Sequence, residues 1–151
     1  MAMENPQWVP TVHVVATSVE GTEAALRAAA PVATRQQARL VLLVPDIGSP
    51  ETDDSPIATN WLIARYEETA RTIEHPVVIR LCKTPNAAEA ALRLTPGRAV
   101  MFVGGTSNWL WPSVEERLAA RLRRSGRDVV FVACNSGSTK TKVQQGVNVH
   151  A

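Results

Sequence analysis

Apolar and polar positions along this chain form two kinds of pattern, each typical of one kind of secondary structure. Five runs are almost continuously apolar, at residues 12–19, 39–45, 76–82, 97–105 and 127–134. Four stretches between them repeat apolar residues at helical spacing, at residues 21–38, 57–75, 84–95 and 113–126. Continuous rather than alternating apolarity indicates strands buried on both faces, as in a parallel sheet covered by helices. The pattern therefore predicts a doubly wound βαβαβαβαβ domain with right-handed crossovers.

The two ends of the chain fall outside this alternation. We expect residues 1–11 to be an N-terminal extension and residues 12–134 to be one α/β domain. Residues 135–151 are polar and aperiodic, which predicts a flexible tail. Inside the first helical stretch Pro31 removes a hydrogen-bond donor, so we expect a kink or a break there.

Composition and charge narrow the class of protein. A chain of 151 residues, 45% hydrophobic and 20% charged, is typical of one soluble globular domain. The formal net charge of +2 is too small to indicate nucleic-acid binding by itself. No run approaches the roughly 18 apolar residues of a membrane span, and "MAMENPQWVP" lacks the regions of a signal peptide. We therefore expect a cytoplasmic protein that binds neither nucleic acid nor membrane.

The residues that most often carry chemistry are few and scattered. Cys82 and Cys134 each end an apolar run, so they are interpreted as buried thiols rather than as a disulfide or a zinc pair. His13, His75 and His150 show no metal-ligand spacing, and no metal is expected.

The loops after the first and fourth strands are the candidate site. Ligands of doubly wound sheets bind beyond the carboxyl ends of the strands, where the strand order reverses. The segment "FVGGTSNWLWPSVEERL", residues 102–118, places a glycine-bearing turn before a helix N-terminus, where an anion can be held. The candidate nucleotide crevice consists of Val19, Glu20, Gly104, Gly105, Thr106, Ser107 and Ser113.

Five segments along the chain share the order and spacing of one known family. They are "VATSVEGTEAALRAA", "ARLVLLV", "TPNAAEAAL", "AVMFVGG" and "PSVEERLAARLRRSGRDVVFV". Together, over residues 12–134, they resemble a universal stress protein. The resemblance implies a flavodoxin-like, Rossmann-like three-layer α/β/α sandwich with a five-stranded parallel sheet in the order 3-2-1-4-5. Members commonly dimerise through the last strand, so it also implies a homodimer through Asp128–Cys134.

The first family motif lies at the end of the first strand. Members that bind ATP typically carry Val-Asp-Gly-Ser there, and Val19, Glu20, Gly21 and Thr22 take those places in this chain. Glutamate is longer than aspartate, so the resemblance implies a displaced contact to a ribose or a metal ion.

The second family motif follows the fourth strand and is matched only in part. Its pattern is Gly-x-x-Gly, nine residues, and then Gly-Ser or Gly-Thr. Gly104 fits the first glycine, but Ser107 takes the second place, and four residues precede Pro112-Ser113. Ser107 restricts the backbone, and Pro112 lacks an N–H that could bind a phosphate oxygen. We therefore expect a degenerate ATP motif that does not bind ATP tightly.

Within this loop Ser113 and Glu116 form the pattern S-x-x-E, which predicts a capping box at the start of the fourth helix. An alternative is that Ser113 and the helix N-terminus hold an anion, although the helix carries acidic residues in its first turn.

Trp109, Leu110 and Trp111 form an apolar tip on the same loop, and two interpretations stay open. The tip could fold over the strand ends and fill the space of a nucleotide. It could instead be exposed and contact a protein partner or a second copy of the chain.

Basic residues on the fourth helix need no ligand to explain them. Arg117, Arg121 and Arg124 share one helical face, which we interpret as a solvated face.

Three functions remain in order of preference. The leading one is a non-enzymatic, cytoplasmic, stress-associated regulatory or binding protein without a cofactor. The alternative is an ATP- or nucleotide-binding stress protein that uses the loop after the fourth strand, with at most weak ATP hydrolysis. The third is a small enzyme acting on a phosphorylated ligand, with Glu20 as the acid or base, although no second catalytic group can be placed opposite it.

Overall fold

The five apolar runs form the parallel strands of one central sheet. The computed structural model describes residues 9–46, 56–95, 100–108, 110–134 and 141–144. The strands are β1 (Thr11–Val15), β2 (Arg39–Asp46), β3 (Val77–Lys83), β4 (Val100–Gly105), β5 (Asp128–Cys134) and β6 (Thr141–Gln144). Their order is β3-β2-β1-β4-β5-β6, and the first five are mutually parallel. The predicted order 3-2-1-4-5 is confirmed.

Helices cover both faces of this sheet. They are α1 (Val19–Gln36), α2 (Pro56–Arg71), α3 (Ala87–Leu94) and α4 (Val114–Arg124). Helices α1 and α2 pack on the face that carries Val12 and Val14, whereas α3 and α4 pack on the face that carries Val15 and Val41. The three layers make a flavodoxin-like α/β/α sandwich, as predicted.

Helix α1 continues through Pro31 as a single helix of 18 residues. Pro31 itself is exposed, whereas Ala25, Ala29 and Ala33 are fully buried against the sheet. These alanines hold the helix to the sheet on both sides of the proline, so the loss of one backbone hydrogen bond does not interrupt it. The predicted break does not occur.

Strand β3 differs from the other parallel strands, because it lies at the edge of the sheet. Its residues alternate between half-buried and exposed along most of its length, and Val78 is 43% exposed. The expectation that all five strands are buried on both faces is therefore wrong for β3. Its apolar sequence does not reveal that the helices leave one side of it uncovered.

The opposite edge of the sheet carries a strand that the sequence did not predict. Strand β6 pairs antiparallel with β5, from Phe131 opposite Gln144 to Cys134 opposite Thr141. The predicted flexible tail is wrong for these four residues, because a backbone ladder can form without an apolar sequence pattern. The homodimer through Asp128–Cys134 stays a prediction, and a second chain would have to displace β6 or pair with it.

Candidate functional site

The turn between β1 and α1 places the first group of candidate residues differently from the prediction. Strand β1 ends at Val15, and Ser18 caps α1 by accepting a hydrogen bond from the Gly21 N–H at 3.0 Å. Val19 and Glu20 therefore lie in the first turn of α1, and Glu20 is exposed. The predicted strand over residues 12–19 is too long, because the serine cap begins the helix while the apolar run continues.

Backbone contacts close the part of the predicted nucleotide crevice where α1 meets β4. Gly21 of α1 and Gly104 of β4 approach so closely that a Cβ on Gly21 would lie 2.5 Å from the Gly104 carbonyl oxygen. The Thr17 hydroxyl donates to the same oxygen at 2.6 Å. Both glycines are required by this close approach, since a side chain on either would overlap the opposing backbone. The glycines of the predicted cradle thus join α1 to the sheet.

The next glycine of the loop serves helix packing on the other face of the sheet. A Cβ on Gly105 would overlap the Cβ and Cγ atoms of Glu115 in the first turn of α4. Both Gly104 and Gly105 are buried, whereas Thr106 is exposed and Ser107 is half-buried. Of these four candidate residues, only Thr106 and Ser107 present side chains beside the start of α4.

The carboxylate of Glu116 occupies the hydrogen-bond donors of this loop. Its Oε1 accepts from the Ser113 N–H at 2.9 Å and from the Asn108 N–H at 3.3 Å, and its Oε2 accepts from the Ser107 hydroxyl at 3.4 Å. The Ser113 hydroxyl in turn accepts from the Glu116 N–H at 3.1 Å. The predicted capping box is confirmed, and it places an internal anion among the donors that a phosphate would need.

The apolar tip of the loop is exposed where the structure describes it. Leu110 and Trp111 are 60% and 73% exposed, so neither fills the crevice between the strands. A hydrogen bond of 3.3 Å from the Leu110 N–H to the Asn108 side chain closes a local turn in the tip. Trp109 lies outside the described residues. The interpretation that the tip plugs a nucleotide site is therefore wrong for Leu110 and Trp111.

A cavity lies beside this loop, between α3 and α4, and it is lined in part by the loop after β1, which the sequence predicted as part of the site. Its volume is ≈ 570 Å³, and we call it the α3–α4 groove. Its floor includes Thr17, Ser18, Pro45 and Tyr66, and its walls come from the start of α3 and one face of α4. The distance between two helices is set by tertiary packing, so no local pattern could have predicted the groove. Arg117 and Arg121, interpreted as part of a solvated face, both line it.

Tyr66 of α2 anchors the floor of the α3–α4 groove. Its hydroxyl donates to the Thr17 carbonyl oxygen at 2.5 Å, just beyond the end of β1. Burial raises the pKa of this phenol, so the hydroxyl stays a donor at neutral pH. Tyr66 lies in the stretch 57–75 that the sequence predicts as a helix, but helical spacing gives no sign of this long-range contact.

A histidine is buried on the face of the sheet that α3 and α4 cover. His13 of β1 is 3% exposed and pairs in register with Val41 and Met101, which belong to the apolar cluster beneath α3 and α4. Its Nδ1 has no hydrogen-bond partner within the part of the chain that the structure describes. Burial, with a smaller contribution from the charge of Arg80, lowers the pKa of His13 to about 4. The imidazole is therefore neutral at physiological pH.

Among the described residues, no group of three or more histidine, cysteine, aspartate or glutamate side chains could hold a metal ion. The same residues include no helix that is long and apolar enough to cross a membrane.

Comparison with solved structures refines the class of the fold. The doubly wound sandwich is similar to the crystal structure of a universal stress protein in complex with cAMP, with a TM-score of 0.54 and 15% sequence identity over 80% of this chain and 95% of that chain. A universal stress protein from Archaeoglobus fulgidus gives a TM-score of 0.52 and 16% identity over 82% of this chain and 93% of that chain. The chain therefore has the fold of universal stress proteins. No protein-family model matches it, and no curated protein matches its sequence.

Proposed function

We propose that this protein is a non-enzymatic binding or regulatory protein with the universal stress protein fold, and that it does not bind ATP tightly. The position of the Glu116 carboxylate carries this proposal. Its oxygens accept hydrogen bonds from Ser107, Asn108 and Ser113, at the start of α4. A phosphate at this loop would have to displace a carboxylate of the same charge sign, which costs both hydrogen bonds and Coulomb energy.

The close packing of the two glycines supports the same proposal. Because Gly104 contacts the backbone of α1 and Gly105 contacts Glu115, neither glycine leaves the open space in which amides wrap around phosphates. Opening that space would require α1 or α4 to move away from the sheet.

The nearby polar groups support a non-enzymatic role. Glu20 is exposed on α1, and no hydrogen bond or ion pair joins its side chain to another described residue. The thiol of Cys134, at the end of β5, has its pKa raised by burial and by the charges of Glu115 and Glu20. A thiol in that environment stays protonated and is a weak nucleophile. A stress-associated role in the cytoplasm belongs to the same proposal and follows from the resemblance of the sequence.

A second candidate is a nucleotide-binding protein with altered phosphate contacts. One solved structure of similar fold is a universal stress protein in complex with cAMP. In this chain a nucleotide would use donors of Ser107 and Ser113 only after the Glu116 side chain had turned away.

Isothermal titration calorimetry with MgATP and with cAMP distinguishes the two candidates. The native protein is expected to bind MgATP no more tightly than millimolar. Glu116→Gln keeps a side-chain oxygen for the cap and removes the charge, so it is expected to bind MgATP about tenfold more tightly, equivalent to about 1.4 kcal/mol. Glu23→Gln, an exposed charge removal on α1, is the matched control and is expected to match the native protein.

Micromolar binding of MgATP by the native protein would refute the first candidate and favour the second. Equal, weak binding by the native protein and by Glu116→Gln would show that the glycine packing, rather than the carboxylate, excludes the phosphates.

A further inference from the structure

The α3–α4 groove has polar side chains of two kinds, and the difference between them indicates its ligand. On the floor, the hydroxyls of Thr17 and Tyr66 donate to backbone carbonyls at 2.6 and 2.5 Å. The side chains of Ser18 and Asn86 accept backbone N–H groups as helix caps, at 3.0 and 2.7 Å. These contacts fix the four side chains to the fold and occupy the oxygens of Ser18 and Asn86, so a ligand meets apolar surface and a few remaining donors.

The α4 wall, in contrast, carries charges that have no partner among the described residues. Arg117 and Arg121 lie one helical turn apart and both line the groove. Neither side chain makes a hydrogen bond or an ion pair with any of the residues that the structure describes. Glu115 also lines the groove, so its three charged lining residues leave one net positive charge.

We propose that the α3–α4 groove binds a small organic anion with an apolar, planar body, such as an aromatic carboxylate, held by Arg117 and Arg121. The volume of ≈ 570 Å³ lies within the usual range for small-molecule sites. Arginine pairs with a carboxylate through two parallel N–H···O bonds, and the apolar floor accommodates the remaining body. The proposal goes beyond the function proposed above, because the groove lies beside the Glu116-occupied loop and does not depend on it.

The geometry favours this class over a nucleotide. The oxygens of Ser18 and Asn86 already accept backbone N–H groups, whereas the Asn86 amide nitrogen and the Ser18 hydroxyl can still donate. Free donors suit the oxygens of an anion better than the amino edge of a nucleobase, which needs acceptors. Pro45 and Ala88 add apolar surface at the ends of the floor. The groove can therefore select a ligand by the shape of its body and by one anionic group.

Calorimetric titration with 2-naphthoate tests the proposal, with 2-naphthamide as the neutral analogue of the same shape. The native protein is expected to bind the carboxylate at least about fivefold more tightly than the amide, because only the carboxylate pairs with the arginines. The double variant Arg117→Gln with Arg121→Gln is expected to lose about tenfold in affinity for 2-naphthoate. Arg124→Gln is the matched control, since Arg124 is exposed on the same helix but does not line the groove.

Amide shifts in a nuclear magnetic resonance titration locate the bound ligand and are expected at Ala88 and Leu118. The proposal is overturned if 2-naphthoate and 2-naphthamide bind equally, if the double variant matches the native protein, or if no binding occurs. Displacement of 2-naphthoate by lower concentrations of cAMP would also overturn it, in favour of a nucleotide in the groove. Weak MgATP binding at the β4 loop changes none of these results. A negative outcome for the groove can therefore be told apart from a negative outcome for the proposed role of Glu116.

Discussion

The two faces of the central sheet are closed in different ways. On one face α1, with α2 beside it, contacts four strands and brings its alanines and Gly21 directly onto the sheet. On the other face two shorter helices, α3 and α4, leave the groove between them and cover a histidine whose Nδ1 has no partner among the described residues. Close backbone packing leaves no room for a ligand, whereas side-chain packing between two separate helices can leave a cavity. In this chain the candidate binding surface therefore lies between α3 and α4, where the loop after β1 and Tyr66 of α2 also reach it.

The largest effect is expected where backbone meets backbone on the α1 face. A methyl group at Gly104 would overlap the carbonyl of Gly21, which cannot rotate away as a side chain could. Gly104→Ala is therefore expected to lower the free energy of unfolding by about 3 kcal/mol, as severe overpacking does. Urea denaturation followed by circular dichroism measures the loss.

Thr106→Ala provides the control two residues further along, at an exposed position. It is expected to change the free energy of unfolding by less than about 0.5 kcal/mol, as most surface substitutions do. Native-like stability of Gly104→Ala would contradict the close approach of α1 to β4 and would reopen the crevice as a candidate phosphate site.

The second largest effect is expected on the other face of the sheet, where His13 makes the stability of the protein depend on pH. His13 has a folded-state pKa of about 4, below the ordinary value of 6.5, so the unfolded chain takes up its proton first as the pH falls. The contribution of neutral His13 to the free energy of unfolding is fully present above pH 6.5. It falls between pH 6.5 and 4 and stays constant below the folded-state pKa. The loss attributable to His13 is about 3 kcal/mol at the lower end. Urea denaturation at a series of pH values measures it.

His13→Leu removes the titrating group and is expected to flatten this part of the pH profile. His75→Gln, in the turn between α2 and β3, keeps His13 and is expected to keep the native slope. An identical slope for the native protein and His13→Leu would show that His13 is not the group responsible.

The contrast between the faces also explains which features the sequence could predict. The capping box of Ser113 and Glu116 depends on a local pattern and was predicted from it. The strand order was predicted from the resemblance to universal stress proteins, and the structure confirms it. The start of α1 was missed because Ser18 caps the helix inside an apolar run. Exposure of β3, pairing of β6 and the α3–α4 groove depend on which element lies next to which. Such neighbours are set by tertiary packing, so a pattern along one segment does not contain them.

The smallest effect compares the caps of one helix from each face. Ser18 caps α1 and Asn86 caps α3, and replacing either by alanine is expected to cost about 1 kcal/mol. Hydrogen exchange of the backbone amides should nevertheless separate the two variants. Helix α1 is held along 18 residues by buried alanines, so Ser18→Ala is expected to speed exchange only in the first turn. Helix α3 has eight residues, so Asn86→Ala is expected to speed exchange throughout it. If Asn86→Ala speeds exchange only in the first turn of α3, this wall of the groove is as firmly held as the α1 face.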